Sequence, residues 1–288
     1  MIAARASHFS RRALIAAAGG LLVGCGRGPA RGDGAMTIAQ AASGPWRSSA
    51  DRARDIWRRP VESLTFWGLA PGQTVVEFWP GAGWYTDIIA PYLAANGGKL
   101  YAANLQVGAP GDAASGMVEV FRAKLKANPG LYGDVAITAF GPTSEEVAPA
   151  GSADLALFLR NLHNWMAAGI AEKAFHDAFT ALKPGGVLGI EEHRAAPGGV
   201  QDPLAGDGYV QQAYAIQLAQ EAGFVLDRTS EINANPADDR NHPFGVWTLP
   251  PVRRSSPRGQ PDNPGFDHAP YDVIGESDRM TMRFVKPI

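Results

Sequence analysis

Short apolar runs alternate with segments of helical periodicity from about residue 48 to the end of the chain. Residues 74–79 are apolar and β-branched, which predicts a buried strand, and an apolar helix is predicted from Asp87 to Ala95. The predicted strands are residues 74–79, 99–103, 135–139, 154–159, 187–190, 224–226 and 280–286. Because strands alternate with helices, the pattern predicts an α/β fold with a mostly parallel sheet and helices on both faces.

The predicted domain begins and ends with different local signals. Ser48 stands three residues before Asp51, a spacing that caps a helix start, and Pro60 is expected to kink or split the helix that follows. Near the other end, residues 243–270 hold seven prolines and three glycines. This Pro-rich excursion is expected at the surface, as a lid, a partner-binding arm or a variable loop.

The first 24 residues have the layout of an export signal. Arg11 and Arg12 precede an apolar run from Ala13 to Val23, which is too short to span a bilayer. Residues 10–15 resemble a twin-arginine signal, and residues 22–25 resemble a bacterial lipobox that ends at Cys25. We therefore expect a signal peptide over residues 1–24, lipidation of Cys25, and a flexible tether over residues 25–47. The alternative is a buried N-terminal helix.

Charge and cysteine content exclude several classes of function. The chain has 26 Lys and Arg against 28 Asp and Glu, which gives no global basis for nucleic-acid binding. Its single cysteine permits neither an internal disulfide bond nor a thiolate metal cluster. The expected partners are a small-molecule substrate, the export machinery, and a membrane reached through lipidated Cys25.

A strand, an acidic residue, a Gly-x-Gly turn and a helix follow one another at residues 74–95. Glu77 lies in the strand, and Gly81 and Gly83 form the turn, where glycine lets the backbone approach an adenosine-type ligand closely. Trp84 and Tyr85 stand where a dinucleotide fingerprint would continue toward a third glycine. This departure disfavours a nicotinamide-dependent oxidoreductase.

These residues carry a resemblance to a known family. Residues 75–86 (Val-Val-Glu-Phe-Trp-Pro-Gly-Ala-Gly-Trp-Tyr-Thr) resemble motif I of class I S-adenosylmethionine (SAM)-dependent methyltransferases. Residues 181–188 resemble the turn into the fifth strand of that superfamily, and residues 158–162 resemble a segment of quinone-biosynthesis C-methyltransferases. The segments at residues 75–86 and 181–188, taken together with residues 160–165 and 235–238, are most similar to a bacterial group of predicted methyltransferases that are often exported.

The resemblance implies a Rossmann-like, seven-stranded sheet whose last strand is antiparallel, over residues 48–288. It also implies SAM as the cofactor. The residues that it places at the cofactor are Glu77, Gly81, Gly83, Tyr85, Asn104, Arg160 and Asn161. Asn104 stands where the superfamily has an acidic residue that binds the ribose hydroxyls, and an amide forms a weaker hydrogen bond there than a carboxylate.

Three further side chains are candidates for catalysis. His163 follows the predicted fourth strand, and Glu192 and His193 follow the fifth, so all three are expected at one crevice. A histidine there could remove a proton from the acceptor, and a carboxylate could orient it. The alternatives are that His163 packs locally, that Glu191 and Glu192 are solvated, or that His163, Glu192 and His193 hold a metal; we assign no metal site.

The sequence thus predicts a SAM-dependent methyltransferase that acts on a small-molecule acceptor. We expect it to be exported by the twin-arginine route and held as a lipoprotein on the periplasmic face of a membrane. The alternative is a non-enzymatic, exported protein that binds a small ligand and retains the methyltransferase fold.

Overall fold

The computed structural model describes residues 35–108 and 113–288; the predicted signal peptide and Cys25 lie outside the described residues. Seven strands form one sheet in the order β3-β2-β1-β4-β5-β7-β6. The strands are β1 (Thr74–Phe78), β2 (Lys99–Leu105), β3 (Val135–Phe140), β4 (Ala153–Leu159), β5 (Leu182–His193), β6 (Val225–Ser230) and β7 (Arg279–Val285). Strands β1 to β5 pair in parallel, and β7 pairs antiparallel with both β5 and β6. The predicted Rossmann-like sheet with an antiparallel last strand is confirmed.

Eleven α-helices and one 3₁₀ helix are found in the described residues. The helices are α1 (Ile38–Ala42), α2 (Ser49–Ala53), α3 (Asp55–Arg58), α4 (Pro60–Trp67), α5 (Thr86–Ala95), α6 (Ala113–Ala127), α7 (Pro129–Tyr132), α8 (Leu162–Ala167), α9 (Ala171–Ala181), α10 (Gln212–Glu221) and α11 (Ala269–Ile274), with a 3₁₀ turn at Gly245–Thr248. Within the described residues, none of these helices is long and apolar enough to cross a membrane.

Two apolar cores lie on the two faces of the sheet, because neighbouring residues of a strand point to opposite sides. On one face, Val76 and Phe78 of β1 pack in a core with α8, α9 and α10. On the other face, Val75 packs in a core with α1, α4 and α5. The sheet is therefore covered on both faces, as the strand and helix alternation predicted.

The first helices follow their local signals. The Ser48 hydroxyl accepts a hydrogen bond from the Asp51 amide at 3.0 Å and so caps α2. Pro60 occupies the first turn of α4, and Arg59 before it has a left-handed backbone with φ 38°, which separates α3 from α4. The predicted split at Pro60 is present.

The folded domain begins earlier than the sequence predicted. Residues 35–47 were assigned to the flexible tether, but they include helix α1, whose Ala41 and Ala42 are buried. Arg47 is also buried, and its guanidinium group forms a bidentate ion pair with Asp55. The sequence pattern missed α1 because five residues are too few to show helical periodicity; the tertiary contacts hold this segment on the domain.

Candidate active site at the carboxyl edge of the sheet

Strands β1 and β4 are neighbours at the point where the strand order reverses. In open α/β sheets, ligands bind at the carboxyl ends of the strands beside such a point. The residue that follows each of these two strands, Trp79 and Arg160, has a left-handed backbone, with φ 45° and 59°. A left-handed conformation at a non-glycine residue is uncommon and costs conformational energy, and such residues cluster at functional sites.

Two buried polar side chains mark the β1–β2 half of this edge. The Glu77 carboxylate accepts a hydrogen bond from the Thr86 hydroxyl at 2.6 Å, and burial raises the pKa of Glu77 to about 7. Asn104 is 2% exposed; its side-chain oxygen accepts a hydrogen bond from the Leu105 amide, while its side-chain nitrogen has no partner in the part of the chain that the structure describes. A buried amide donor without a partner costs free energy unless a ligand accepts from it.

The two glycines of the predicted turn differ in what surrounds them. Gly81 has φ 59°, and a Cβ atom added there would meet no atom of the described residues within 4 Å. Gly83 has φ 86°, and an added Cβ atom would lie 3.1 Å from Lys124 Nζ and 3.2 Å from the Phe121 ring. Gly81 therefore leaves open space at this edge, whereas Gly83 lets α6 pack closely on the turn.

Trp79 and Asn161 hold the turn in place. The Trp79 indole N–H donates to the Phe140 carbonyl oxygen at 2.9 Å, and its backbone N–H donates to the Ala103 carbonyl oxygen. The indole thus reaches from the end of β1 toward the end of β3. The Asn161 side-chain amide donates to the Trp79 carbonyl oxygen at 3.0 Å, so Asn161 ties this turn to the end of β4.

Glu191 is the centre of a buried ionic network. It is fully buried and accepts hydrogen bonds from Tyr85 Oη at 2.9 Å, Arg160 Nη1 at 3.0 Å and Arg279 Nη1 at 2.7 Å. Burial raises the pKa of Glu191, but the positive charges of Arg160 and Arg279 outweigh burial, and the pKa lies below its usual value. Tyr85 and Arg160, which the resemblance placed at the cofactor, here hold a carboxylate.

Glu276, just before β7, extends this network to the N-terminal helices. Its carboxylate pairs with Arg54 Nε at 2.6 Å, Arg58 Nε at 2.9 Å and Arg279 Nη2 at 3.1 Å. Sequence reasoning missed Arg54, Arg58, Glu276 and Arg279. No local motif marks them, because 218 residues separate Arg58 from Glu276 along the chain.

His163 and Glu192 form a second buried pair. His163 Nδ1 lies 2.9 Å from Glu192 Oε1, and Glu192 Oε2 accepts the Leu162 backbone N–H at 2.6 Å. Because an ionised carboxylate only accepts hydrogen bonds, His163 carries its proton on Nδ1, which leaves Nε2 as a proton acceptor. The glutamate therefore orients the imidazole in the way that a general base requires.

His193 completes the cluster. Its Nδ1 lies 2.6 Å from Ser277 Oγ, and its ring centroid lies 5.1 Å from that of His163. Burial is the main cause that lowers the pKa of His193 well below its usual value, and the positive charges of Arg279 and Arg160 act in the same direction. The structure thus brings His163, Glu192 and His193 together, and both Glu191 and Glu192 are fully buried rather than solvated.

A cavity of about 210 Å³ opens beside this cluster. Its lining comes from the ionic network, the histidine pair and the Pro-rich excursion: Arg58, Arg160, His163, Asn164, His193, Val246, Trp247, Pro250, Pro251, Val252, Glu276 and Ser277. The excursion therefore covers one side of the candidate site. A larger cavity of about 760 Å³ lies between β2, β3 and α9 and contains none of the predicted site residues.

A metal site at the histidine pair requires the Glu192 carboxylate, and that carboxylate is already used. Potential ligand atoms of His163, Glu192 and His193 lie within 4.8 Å of one another. However, both Glu192 oxygens accept N–H hydrogen bonds, from the Leu162 and His193 backbones and from the His163 ring. In this arrangement the carboxylate orients histidine rather than offering a free ligand.

The segment from Asn235 to Asp238 stabilises the fold and does not line the cavity. Asp238 is fully buried and accepts hydrogen bonds from Tyr209 Oη and from the Asp278 backbone, and it pairs with His242 Nε2 at 2.8 Å. The side chain of His242 is only 1% exposed. These contacts join the loop after β6 to the start of β7.

Comparison with known proteins finds a similarity to this chain at the level of the fold. No protein-family model matches the chain, and no curated protein matches it. Among solved structures, the [4+2]-cyclase SpnF has a TM-score of 0.50 at 16% identity, over 86% of this chain and 84% of that chain. Phosphoethanolamine N-methyltransferase 2 of Haemonchus contortus, solved in complex with S-adenosyl-L-methionine, has a TM-score of 0.50 at 16% identity, over 81% of this chain and 53% of that chain. The Rossmann-like fold is common to these chains.

Proposed function

We propose that this protein transfers a methyl group from SAM to a small-molecule acceptor. The observation that carries the proposal is the β1–β2 half of the sheet edge, where the buried Asn104 side-chain nitrogen has no partner among the described residues and Gly81 borders open space. The site lies where Rossmann-like folds bind nucleoside-containing ligands. SAM, when bound, supplies an electrophilic methyl group on a sulfonium.

The side chains of this half fit such a cofactor. The Asn104 amide would donate to a ribose hydroxyl, and the Gly81 backbone would border the ligand. Glu77 lies buried in the same half, and its carboxylate accepts a hydrogen bond from the Thr86 hydroxyl. Gly83 and Asn161 support this proposal indirectly, because their contacts shape the turn.

In this proposal His163 is the general base for an acceptor that must lose a proton. Glu192 holds its ring with Nε2 free to accept, and neutral His193 lies beside it. Methyl transfer depends mainly on holding the acceptor in line with the methyl group, and positioning contributes about 7–11 kcal/mol in favourable cases. A general base adds about 10²–10⁴-fold.

Calorimetry with SAM and with its demethylated product tests cofactor binding directly. Gly81→Leu is expected to weaken SAM binding at least tenfold, because it places a side chain in the open space. Gly72→Leu is the matched control, since Gly72 also has a positive φ (76°) and open space but lies before β1. Equal affinities for the two variants, or no SAM binding by the folded wild type, would contradict the proposal.

A non-enzymatic or differently acting ligand-binding protein is the second candidate. SpnF, a structure with a similar fold, is named as a cyclase, which supports the idea that this fold serves more than one chemistry. Incubation with isotopically labelled SAM and metabolite extracts separates the candidates. Transfer of label to a small molecule supports methyl transfer; SAM binding without transfer in any extract supports the second candidate.

We further propose that the protein is exported and anchored through Cys25. The support is the paired signal at residues 10–15 and 22–25. Replacement of both Arg11 and Arg12 by lysine is expected to block export, and Cys25→Ser is expected to release the protein from the membrane fraction. Normal membrane recovery of the Cys25→Ser protein would contradict the lipid anchor.

A further inference from the structure

We propose that the 210 Å³ cavity binds the anionic group, a carboxylate or a phosphate, of the acceptor substrate. The inference rests on the proposed function, because it names the chemical class of the acceptor. We call this space the arginine–histidine cavity; it is bounded by Arg58, Arg160, His163, His193 and the segment from Val246 to Val252. Its position beside His163 would bring a bound acceptor next to the proposed base.

The first argument is unused hydrogen-bonding capacity. Arg160 uses Nη1 to pair with Glu191, and Arg58 uses Nε to pair with Glu276. The other guanidinium N–H groups of these two residues have no hydrogen-bond partner among the described residues. Both side chains are largely buried, at 13% and 8% exposed, and both line the cavity. An arginine presents planar donors that match the oxygens of a carboxylate or phosphate.

The second argument is the balance of charge. Four guanidinium groups, those of Arg54, Arg58, Arg160 and Arg279, share two carboxylates, those of Glu191 and Glu276. Glu192 adds one further negative charge at the histidine pair, so the cluster retains an excess of positive charge. Glu77, which also interacts with Arg160, has a pKa near 7 and is only partly ionised at neutral pH. A net positive charge in a largely buried cluster is costly, and a bound anion would relieve that cost.

The arginines are also held in position before any ligand arrives. The Arg58 guanidinium lies over the Trp84 ring, 4.8 Å from its centroid, and the Arg160 guanidinium lies 5.6 Å from the Tyr85 ring centroid. Their carboxylate partners fix one side of each group. Such preorganisation reduces the entropy that binding must offset.

The opposite wall suits the carbon skeleton of a small molecule. It consists of Val246, Trp247, Pro250 and Pro251, and Arg254 stacks on Trp247 at 4.6 Å from the ring centroid. The cavity is smaller than the roughly 300–1,000 Å³ of a drug-sized pocket. This size suits a small organic acid or phosphate ester.

The same charges disfavour a cation here. A divalent metal ion at His163 and His193 would be repelled by Arg160, whose positive charge already contributes to the lowered pKa of His193. Both Glu192 oxygens are hydrogen-bonded to N–H groups. The cavity therefore favours an anion over a metal ion.

The test measures binding to the full-length protein by calorimetry and thermal shift, without SAM. The probes are inorganic phosphate, succinate, its uncharged diamide, and Zn²⁺. We expect saturable binding of phosphate or succinate and no binding of the diamide. The anion that binds identifies the anionic group of the acceptor as a phosphate or a carboxylate. Arg58→Gln should weaken anion binding at least tenfold. Arg253→Gln, at a half-exposed arginine paired with Asp272, is the matched control and should leave binding unchanged.

A second variant covers the case in which Arg58→Gln disturbs folding. Trp247→Ala removes part of the apolar wall and should weaken succinate binding while leaving phosphate binding nearly unchanged. The assignment is overturned if neither anion binds, if Arg58→Gln and Arg253→Gln behave alike, or if Zn²⁺ binds and the anions do not.

SAM calorimetry on the same preparation separates this inference from the proposed function. Anion binding without SAM binding would keep the cavity's ligand class and remove methyl transfer. SAM binding without anion binding would leave the proposed methyl transfer standing and overturn the assignment of an anion to the cavity.

Discussion

The two halves of the carboxyl edge are built in different ways. In the β1–β2 half, the polar side chains come from one short stretch of chain, from Glu77 to Asn104. In the half formed by β4, β5 and β7, they come from segments as distant as Arg54 and Glu276, which are 222 residues apart. The first half has spare hydrogen-bonding capacity at Asn104, whereas the carboxylates of the second half are paired several times over.

This difference shows how one edge can serve two tasks. A half with an unpaired donor and open space suits a ligand that brings its own hydrogen-bonding groups. A half whose carboxylates are each paired several times holds its side chains rigidly, so the arginine donors that remain unused lie at a defined place. The comparison assigns adaptable binding to the first half and preorganised recognition to the second.

The largest expected effect is on stability in the second half. Glu191→Ala leaves buried Arg160 without its carboxylate partner and Arg279 with Glu276 alone, and we expect a loss of about 3–5 kcal/mol in the free energy of unfolding. Urea denaturation measures the loss. Asp272→Ala is the control, because its ion pair with Arg253 is exposed, and it should cost no more than about 1 kcal/mol. A small effect of Glu191→Ala would contradict the inference that the ionic network holds the second half rigidly.

The next effect concerns the pH dependence of stability in the first half. Burial raises the pKa of Glu77 from 4.5 to about 7, so the folded state retains a proton that the unfolded state loses. Stability should therefore fall by about 3 kcal/mol as pH rises from about 4.5 to 7, and Glu77→Gln should remove this fall.

Thr86→Val sharpens the same measurement. The hydroxyl of Thr86 lowers the pKa of Glu77, so its removal should extend the fall in stability to higher pH. Unfolding midpoints measured from pH 4 to 9 report both variants. A Glu77→Gln protein with the wild-type pH profile would contradict the assignment of the pH dependence to Glu77.

A third prediction concerns catalysis in the second half. With an acceptor that must lose a proton, His163→Ala should lower turnover about 10²-fold, while His176→Ala, at an exposed histidine of α9, should have no effect. Steady-state rates from pH 6 to 9 measure both. Full turnover of His163→Ala over this range would leave His163 as a packing residue.

The smallest effect is expected at Asn104. Asn104→Ala removes the unpaired amide donor, and we expect SAM affinity to fall about five- to tenfold, the equivalent of about 1 kcal/mol. Calorimetry measures the change. An unchanged affinity would mean that the first half binds SAM without Asn104, or binds another ligand.

Much of the fold could be predicted from the sequence because its signals are local. The β-branched run at residues 74–79, the cap at Ser48 and the split at Pro60 each act within a few residues, and alternation of strands and helices implied the parallel sheet. The strand-end rule also placed His163 and His193 at one edge, because parallel strands align their carboxyl ends.

Only the tertiary structure decided what each side chain does there. Gly83 resembles a ligand-binding glycine in sequence, yet its surroundings are Phe121 and Lys124 of α6. Glu191 and Glu192 are adjacent in sequence, but β-strand geometry turns them to opposite faces, one toward arginines and one toward His163. Arg58 and Arg279 carry no local signal, because Glu276 lies 218 residues from Arg58 and Glu191 lies 88 residues from Arg279. The cavity forms only when these distant segments pack together.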